Sequence, residues 1–470
     1  MARHPFSAVN LISDPIHGYV ELTKRLAPDE AAGAGLDPED VAEDDLLDTA
    51  WLQRLRRISQ LQSARWVFPT AEHSRFTHGL GVMHEAGLWG RSLYPSLAAA
   101  LPALAPGTSE PLPSEGLVVE TLRVAGLLHD VGHGPFAHFF DDHVLAGFPA
   151  PSDPRRPAGK RLSHEDLSQL IIERELGPLI GGLRRAPGAV PERDAFAASE
   201  SINPRWVSFL VSKPALADPS MPAWVRALQP LLSGVFTVDN LDYVRRDAFF
   251  TGVRVGIDVE RLRRYAYVSA RGLTVYEPGV PALEGFLGAR LLLHQQVYFH
   301  RTVRAIDLDL AEVFAPSIRA LFGEASPADE LGGYADLDEY ALLHQAARWA
   351  RGEAVAPDGD ARPGDGRVSR AVADGWRGIL LRRPRWRAEA EVRAAYEEGE
   401  FPAAEVETLG VAEPGRVAID RAAVDARMSD AVAAGLLVIE GRDGSVVPLS
   451  RAIPRVPGWA LIARRYRRVG

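Results

Sequence analysis

The sequence contains no cysteine, and this absence excludes several kinds of site. A chain without cysteine forms no disulfide, binds no metal through thiolate and has no cysteine nucleophile. Any metal centre must therefore be built from histidine, aspartate and glutamate side chains. The sequence also has no apolar run near the ~18 residues that cross a membrane, and its beginning lacks the pattern of a signal peptide. We therefore expect a cytoplasmic protein with no membrane partner.

Positive charge is the scarcer sign, with 53 lysine and arginine residues against 62 aspartate and glutamate residues and a net charge of -9. This balance argues against a protein that binds nucleic acid mainly through electrostatics. Two basic segments, Arg382–Arg387 and Arg464–Arg468, keep nucleic-acid binding open. We favour the interpretation that these two segments are solvent-exposed faces or contacts between subunits of an oligomer. Nucleic acid is therefore not the favoured partner.

The 470 residues are enough for a large core with an appended lobe. After a strand–turn–strand pattern at 11–23, apolar spacing predicts helices at 45–62, 78–93, 116–128, 164–175, 203–212, 222–249 and 281–304. From about residue 322 the chain is rich in alanine, glycine and aspartate, and 355–366 is typical of a flexible segment. Residues 420–440 read as a helix followed by a strand. The sequence thus predicts a mainly α fold, with a helical core at 1–322 and a smaller mixed α/β lobe, for oligomerisation or regulation, at 323–470.

Histidine is concentrated in one part of the chain, since eight of the 13 histidines lie between Glu72 and Glu165. The adjacent pair His129 and Asp130 follows an apolar helical run. A carboxylate there is seldom buried without a partner, and a cation is the usual partner of a His/Asp cluster. For any single histidine, a partly buried structural role is the favoured explanation. The set as a whole favours a metal site.

Three further patterns place polar side chains on shared faces. Asp239, Tyr243 and Asp247 recur every four residues, so one helical face carries two carboxylates and a phenol. The predicted helix at 281–304 has a second such face, on which Arg290, His294, Tyr298 and Arg301 lie. Arg75, one turn before His78, can present its guanidinium fork to phosphate oxygens.

Two more histidines follow the His129–Asp130 pair. His133 lies one helical turn after His129 and should face the same cavity. Gly134 and Pro135 then break the helix, which can turn His138 back toward a substrate. A histidine with a pKa near neutrality is the natural acid for protonating a leaving alkoxide.

The order His78, His129-Asp130 and Asp239 resembles the H…HD…D pattern of the HD-domain metal-dependent phosphohydrolases. The segments 48–61, 67–69, 75–78, 129–138, 164–165 and 239–247 narrow the resemblance to deoxynucleoside triphosphate (dNTP) triphosphohydrolases. The similarity is to the HD core of members that also carry a sterile-alpha-motif domain, and to their bacterial relatives. It covers about residues 8–304.

The resemblance implies hydrolysis of a dNTP to deoxynucleoside and inorganic triphosphate. It implies a divalent transition metal (Fe, Mn, Ni, Co or Zn) and Mg²⁺ with the triphosphate. The implied metal ligands are His78, His129, Asp130 and Asp239. The implied catalytic residues are His138 as general acid, Asp141 to orient it, His133 at phosphate, and His164 with Glu165. The implied substrate-binding residues are Gln60, Leu61, Arg75, Tyr243, Asp247, Arg290 and Tyr298.

Regulation is a separate expectation. By resemblance, four residues match an activator site for guanine nucleotide, and they are Asp48, Gln53, Arg56 and Arg261. Activation by GTP or dGTP and assembly into a homo-oligomer, with a tetramer favoured, would follow. The alternative is that the first three form a helix N-cap and a structural ion pair. Tyr276 and Pro278 stand where the family has basic residues for a second activating nucleotide, and Asn240 and Phe299 also depart from the family pattern.

Two other functions stay open at this point. One is an HD phosphodiesterase or phosphatase that acts on another nucleotide, such as a cyclic or alarmone species. The other is a nucleotide sensor or single-strand-binding protein without catalysis. The intact set of four ligands together with His138 argues against an inactive site.

Overall fold

The fold is that of a computed structural model, which describes residues 8–34, 37–107, 110–151, 159–188, 191–212, 218–357, 360–397 and 399–469. Helices dominate these residues, and the predicted fold class, a mainly α core with a mixed C-terminal lobe, is confirmed. The helices are α1 (Pro28–Ala34), α2 (Glu43–Leu47), α3 (Ala50–Arg54), α4 (Arg75–Leu104), α5 (Glu115–Leu128), α6 (His138–His143), α7 (His164–Leu170), α8 (Gly177–Gly182), α9 (Pro191–Asp194), α10 (Pro204–Val211), α11 (Ala223–Leu228), α12 (Pro230–Ser233), α13 (Val238–Thr251), α14 (Val259–Arg264), α15 (Val280–Leu293), α16 (Arg301–Phe322), α17 (Leu331–Asp336), α18 (Glu339–Ala350), α19 (Arg370–Leu380), α20 (Ala403–Glu407), α21 (Ser429–Ala433) and α22 (Leu449–Ala452).

Three small sheets complete the described part of the chain. The strands are β1 (Val9–Asp14), β2 (Gly18–Thr23), β3 (Ala266–Ser269), β4 (Gly272–Tyr276), β5 (Trp386–Tyr396), β6 (Val417–Asp425), β7 (Val438–Glu440) and β8 (Trp459–Arg468). β1 and β2 form the predicted strand–turn–strand unit, and they pair antiparallel with Val9 opposite Thr23. The other two sheets have the orders β3-β4-β7 and β5-β8-β6. No described helix is both long enough and apolar enough to span a membrane.

Helices α4 and α5 form the centre of the core, and glycine lets the surrounding helices approach them closely. A Cβ atom at Gly126 of α5 would lie 2.9 Å from the carbonyl oxygen of Val82. A Cβ atom at Gly81 of α4 would lie 2.0 Å from a carboxylate oxygen of Asp242 on α13. Both glycines therefore permit contacts that a larger residue would prevent. The close approach of α13 brings its polar face to the ends of α4 and α5.

Several predicted helices differ from the structure, including the one at 164–175, which ends in a π-helical turn, Ile171–Glu175. The chain at 45–62 is divided because Thr49 begins α3 as an N-cap that accepts a hydrogen bond from the Leu52 amide. The predicted helix at 222–249 is divided into α11, α12 and α13, with Thr237 as the N-cap of α13. The one at 281–304 has a π-helical turn, His294–Tyr298, between α15 and α16. The helix predicted to begin at 420 is wrong at its start, because β6 lies there and buries alternate residues against its neighbour β8. The helix α21 and the strand β7 follow within 420–440.

The apolar core continues past residue 322. Trp349 and Trp376 are fully buried in the same hydrophobic cluster as Trp89. Arg54, also fully buried, donates hydrogen bonds to the carbonyl oxygens of Leu337 and His133. The division into a core at 1–322 and a lobe at 323–470 stays a prediction. So does the flexibility of 355–366, of which 358–359 lie outside the described residues.

Candidate active site

The predicted metal ligands come from three helices that meet at one point. His78 lies in the first turn of α4, His129 follows α5, and Asp239 lies in the first turn of α13. The Nε2 atoms of His78 and His129 are 3.1 Å and 3.7 Å from Oδ1 of Asp239. Oxygens of Asp130 lie 3.8 Å from Nε2 of His78 and 3.3 Å from Nε2 of His129. We refer to these four residues as the HD cluster.

Hydrogen bonds fix the orientation of both imidazoles in the HD cluster. Nδ1 of His129 donates to the carbonyl oxygen of Gly126 at 2.8 Å, and Nδ1 of His78 lies 2.8 Å from Oδ2 of Asp242. Both Nε2 atoms are thus directed to the carboxylates. The buried Nε2 of His129 has no hydrogen-bond partner among the described residues. An unpartnered buried nitrogen beside two carboxylates fits a divalent transition metal, which would take that lone pair.

The electrostatics of the HD cluster keep its carboxyl groups ionised. Burial acts to raise the pKa of Asp130, but the charges of Arg75 and His129 hold that pKa well below its usual range. Burial also acts to raise the pKa of Asp239, and the neighbouring imidazoles of His129 and His78 lower it. For His78, burial acts to lower the pKa, but the bonds with Asp239 and Asp242 raise it. Both carboxylates are therefore available as metal ligands.

Asp242 is a site residue that sequence analysis missed. It is fully buried and accepts hydrogen bonds from Nε and Nη2 of Arg246, at 2.8 Å and 2.9 Å. Its Oδ1 also lies 2.6 Å from Nε2 of His17. Together with its contact to His78, these bonds make Asp242 the group that orients a proposed metal ligand. The sequence feature that could have identified Asp242 is its position three residues after the predicted ligand Asp239.

We expect Asp242→Asn to weaken metal binding by about 10- to 100-fold, because an amide is a poorer acceptor for Nδ1–H of His78. Competition between the protein and a metal-binding dye measures this affinity. Asp142→Asn, a change at an exposed carboxylate, is the matched control and should bind as the wild type does. An unchanged affinity in Asp242→Asn would show that Asp242 does not support the metal ligand.

A second group of polar side chains, which we call the histidine cluster, consists of His133, His138, Asp141 and His164. Oδ2 of Asp141 lies 2.5 Å from Nδ1 of His164 and 3.4 Å from Nδ1 of His138. The ring of His133 stacks on that of His164 with 3.7 Å between centroids. Burial acts to raise the pKa of Asp141, but the charge of His164 and bonds from both histidines lower it. Asp141 is therefore an ionised acceptor that can orient His138.

A cleft of about 960 Å³ opens next to both clusters. It brings together most of the predicted catalytic and substrate-binding residues. His78, His133 and Asp141 do not line it and lie behind its wall. The predicted residues that line it are Gln60, Leu61, Arg75, His129, Asp130, His138, His164, Glu165, Asp239, Tyr243, Asp247, Arg290 and Tyr298.

One wall of the cleft carries a linked set of phenol, carboxylate and guanidinium groups. The hydroxyl of Tyr298 donates to Oδ2 of Asp247 at 2.6 Å, and Nε of Arg290 donates to the hydroxyl of Tyr243 at 3.2 Å. Oδ1 of Asp247 lies 2.8 Å from Nε2 of His73, which sequence analysis left without a role. The π-helical turn before α16 sets the direction of Tyr298. Both oxygens of Asp247 are therefore held in fixed positions.

Another part of the cleft was not predicted at all. Arg304 and Asp307, one turn apart on α16, line it, and so do Met428 and Asp430 near α21. Ser63 donates a hydrogen bond to Asp307, and Arg304 pairs with Asp307 at 3.3 Å. Burial raises the pKa of Asp307 to about 6, although Arg304 acts to lower it. The C-terminal lobe thus contributes directly to the cleft.

Asp307→Asn should change the pH dependence of stability. Because the folded pKa lies above the ordinary value of 3.8, the folded state binds the extra proton, and this stabilisation is lost as the pH rises through about 6. We expect the variant to gain about 2–3 kcal/mol on the wild type between pH 4 and pH 8. Urea unfolding across that range measures the difference. A difference that does not vary with pH would contradict the raised pKa.

The four residues of the predicted activator site lie outside the cleft. Arg56 donates to the side chain of Gln53 at 2.8 Å, and its guanidinium lies 3.6 Å above the ring of Phe76. Asp48 is exposed at the end of α2. Arg261, also exposed, donates to a carbonyl oxygen in the turn before α15. The activator role of these residues stays a prediction.

Comparison with known proteins agrees with the geometry. Residues 75–193 match the HD domain family. The chain is 28% identical over 310 residues to an uncharacterized protein, YwfO, of Bacillus subtilis, covering 65% of this chain and 55% of that protein. It is 27% identical over 313 residues to the human deoxynucleoside triphosphate triphosphohydrolase SAMHD1, covering 65% and 44%. The chain spans about half the length of the curated relatives that it matches.

Two solved structures share the fold. A hypothetical protein from Aquifex aeolicus has a TM-score of 0.65 at 23% identity, covering 98% of this chain and 96% of that one. A phosphohydrolase from Bacteroides thetaiotaomicron has a TM-score of 0.62 at 21% identity, covering 98% and 100%. At these identities the structures show the fold alone. The HD-domain match and the sequence relatives confirm the predicted resemblance: residues 75–193 match the HD domain family, and the chain is similar to dNTP triphosphohydrolases.

Proposed function

We propose that the protein hydrolyses deoxynucleoside triphosphates to deoxynucleoside and inorganic triphosphate. One observation carries the proposal: a single cleft is lined by three of the four HD-cluster residues, by arginines suited to phosphate, and by a tyrosine–aspartate pair suited to a sugar. The HD-domain match and the sequence relatives support metal-dependent hydrolysis of a nucleotide. That the nucleotide is a dNTP is our proposal.

His78, His129, Asp130 and Asp239 would hold the transition metal, and Mg²⁺ would accompany the triphosphate. When bound, such a metal polarises a phosphoryl oxygen and activates water. Arg75 pairs with Asp130 at the edge of the cleft, where its remaining N–H groups can receive phosphate oxygens. Arg290 stands on α15 as a second cation for the triphosphate.

His138 is our candidate for the proton donor. It lines the cleft, and Asp141 accepts from its ring while also contacting His164. Attack of water on the α-phosphorus breaks the bond to the 5′-oxygen, which leaves as an alkoxide and takes a proton from the His138 imidazolium. Asp141 stabilises that imidazolium and orients it. Glu165 adds negative charge at the same wall of the cleft.

Asp247 and Tyr298 are the proposed contacts to the deoxyribose. A fixed carboxylate can accept the 3′-hydroxyl, and Tyr298 would lie beneath the sugar ring, where it would collide with a 2′-hydroxyl. Tyr243 belongs to the same wall and is linked to Arg290. Gln60 and Leu61 line the cleft beside them and would flank sugar and base. This arrangement would favour dNTPs over ribonucleotides.

Product analysis tests the proposal. Purified protein with Mn²⁺ or Mg²⁺ and each dNTP should release deoxynucleoside and intact triphosphate, separated by ion-exchange chromatography. Hydrolysis of cyclic or alarmone nucleotides, with no turnover of any dNTP, would favour the other HD phosphodiesterase or phosphatase function. The absence of any turnover would favour a nucleotide sensor.

Activation by guanine nucleotide is a separate part of the proposal. Asp48, Gln53, Arg56 and Arg261 are its candidate residues, and a tetramer is the expected assembly. Added GTP or dGTP should raise the rate of dATP hydrolysis and shift the protein to a larger species in gel filtration. If neither the rate nor the size changes, the activator site should be dropped while the dNTP hydrolysis remains.

A further inference from the structure

We propose that the histidine cluster, His133, His138, Asp141 and His164, is a second binding site for a transition metal ion beside the HD cluster. One ligand atom from each of the four residues lies within 4.8 Å of the other three. The set offers three imidazole nitrogens and one carboxylate oxygen. That combination suits Zn²⁺, Ni²⁺ or Co²⁺ and is unsuited to Mg²⁺, which prefers oxygen ligands.

Unpartnered buried atoms in the cluster are the second observation. His133 is fully buried, yet within the part of the chain that the structure describes neither of its ring nitrogens makes a hydrogen bond. Oδ1 of Asp141 is likewise buried, and no described residue forms a hydrogen bond with it. Burying a polar atom without a partner is costly, and such atoms are rare in folded proteins. A metal ion would use the lone pairs that these atoms leave free.

The distances within the histidine cluster are near those of a filled site. Ligand atoms at ~2.1 Å from a tetrahedral ion lie about 3.4 Å apart. Nδ1 of His138 is 3.4 Å from Oδ2 of Asp141, whereas Nδ1 of His164 is 2.5 Å from it and would have to withdraw. The side chain of His138 is 64% exposed, so it can rotate to close the site without displacing a helix.

The surrounding charges decide the relative affinities of the two sites. The positive charge of Arg75 acts on His133, and Asp130 pairs with Arg75. Asp130 also reaches His133, with its Oδ1 3.3 Å from Nε2. The HD cluster has two carboxylates and the histidine cluster has one. We therefore expect the histidine cluster to bind its ion more weakly, after the HD cluster is filled.

Binding at the second site has a consequence that rests on the proposed function. If His138 donates the proton to the leaving 5′-oxygen, an ion on its ring nitrogen prevents that donation. The second equivalent of Zn²⁺ should then inhibit dNTP hydrolysis. The binding itself does not depend on any reaction.

The test is a stoichiometric titration of the full chain, stripped of metal by chelator, with Zn²⁺ under equilibrium dialysis and elemental analysis. The wild type should bind two equivalents, the second more weakly. His164→Gln should bind one, and His138→Gln should lose at least about 10-fold in affinity for the second. His143→Gln, on the same helix α6 but outside the cluster, should keep both.

A single equivalent in the wild type, or an unchanged second equivalent in His138→Gln, would overturn the proposal. His138 is exposed, so this variant decides the question even if His164→Gln does not fold. Co²⁺ absorption gives an independent readout, because a second site adds d–d bands that His138→Gln alters. Two bound equivalents without any dNTP turnover would contradict the proposed function and leave the second site standing.

Discussion

Replacing Asp239 with asparagine is expected to lower dNTP hydrolysis by at least about 1,000-fold while the protein stays folded. Asp239 joins the two imidazoles of the HD cluster, with Oδ1 at 3.1 Å from His78 and 3.7 Å from His129. The change removes one negative ligand from a proposed metal site and alters almost no volume. Steady-state rates at saturating Mn²⁺, together with bound-metal analysis, measure the effect.

The control for this prediction is Asp374→Asn, which changes an exposed carboxylate on α19. It should leave both the rate and the metal content unchanged. Circular dichroism and thermal unfolding establish that both variants are folded. If Asp239→Asn retained wild-type turnover at wild-type metal content, the HD cluster would not be the reaction centre.

His138→Gln is expected to lower dNTP turnover by about 100- to 10,000-fold, because a glutamine cannot protonate the leaving 5′-oxygen. The loss should largely disappear with an aryl triphosphate such as p-nitrophenyl triphosphate. Its phenolate leaves without a proton, so the general acid has little to contribute. Rates of wild type and variant on both substrates, measured in the same metal buffer, provide the comparison.

An equal loss on both substrates would assign His138 to binding and exclude it as the proton donor. Asp141→Asn provides a second reading, because it leaves the imidazole present but removes the carboxylate that orients it. We expect this variant to have an intermediate rate and a shifted pH profile. A purely structural effect of Asp141 would lower the rate without moving the profile.

Local sequence was sufficient for much of the site. Two groups of site residues could be recognised because each is positioned by a single helix. One is the adjacent pair His129-Asp130 after α5, and the other is the set on α13 with four-residue spacing, Asp239, Tyr243 and Asp247. Helical periodicity determines which side chains share a face, and Asp239, Tyr243 and Asp247 accordingly line the same cleft. The assembly of separate helices was inferred only through family resemblance.

Other parts of the site depend on contacts between distant segments. Asp242 reaches His78 across 164 residues, and His73 reaches Asp247 across 174. Asp307 and Met428 face the same cleft because the C-terminal lobe packs against α16. No local pattern reports such contacts. The alanine-rich strand β6 shows the same limit, since pairing with β8 outweighed its helical propensity.

Hydrolysis of a dNTP in ¹⁸O-labelled water tests the central claim most directly. Attack on the α-phosphorus predicts that mass spectrometry finds one ¹⁸O atom in the triphosphate and none in the deoxynucleoside. Label in the deoxynucleoside would mean attack at carbon. Release of deoxynucleoside monophosphate with pyrophosphate would mean cleavage of a different bond, and either result would contradict the account.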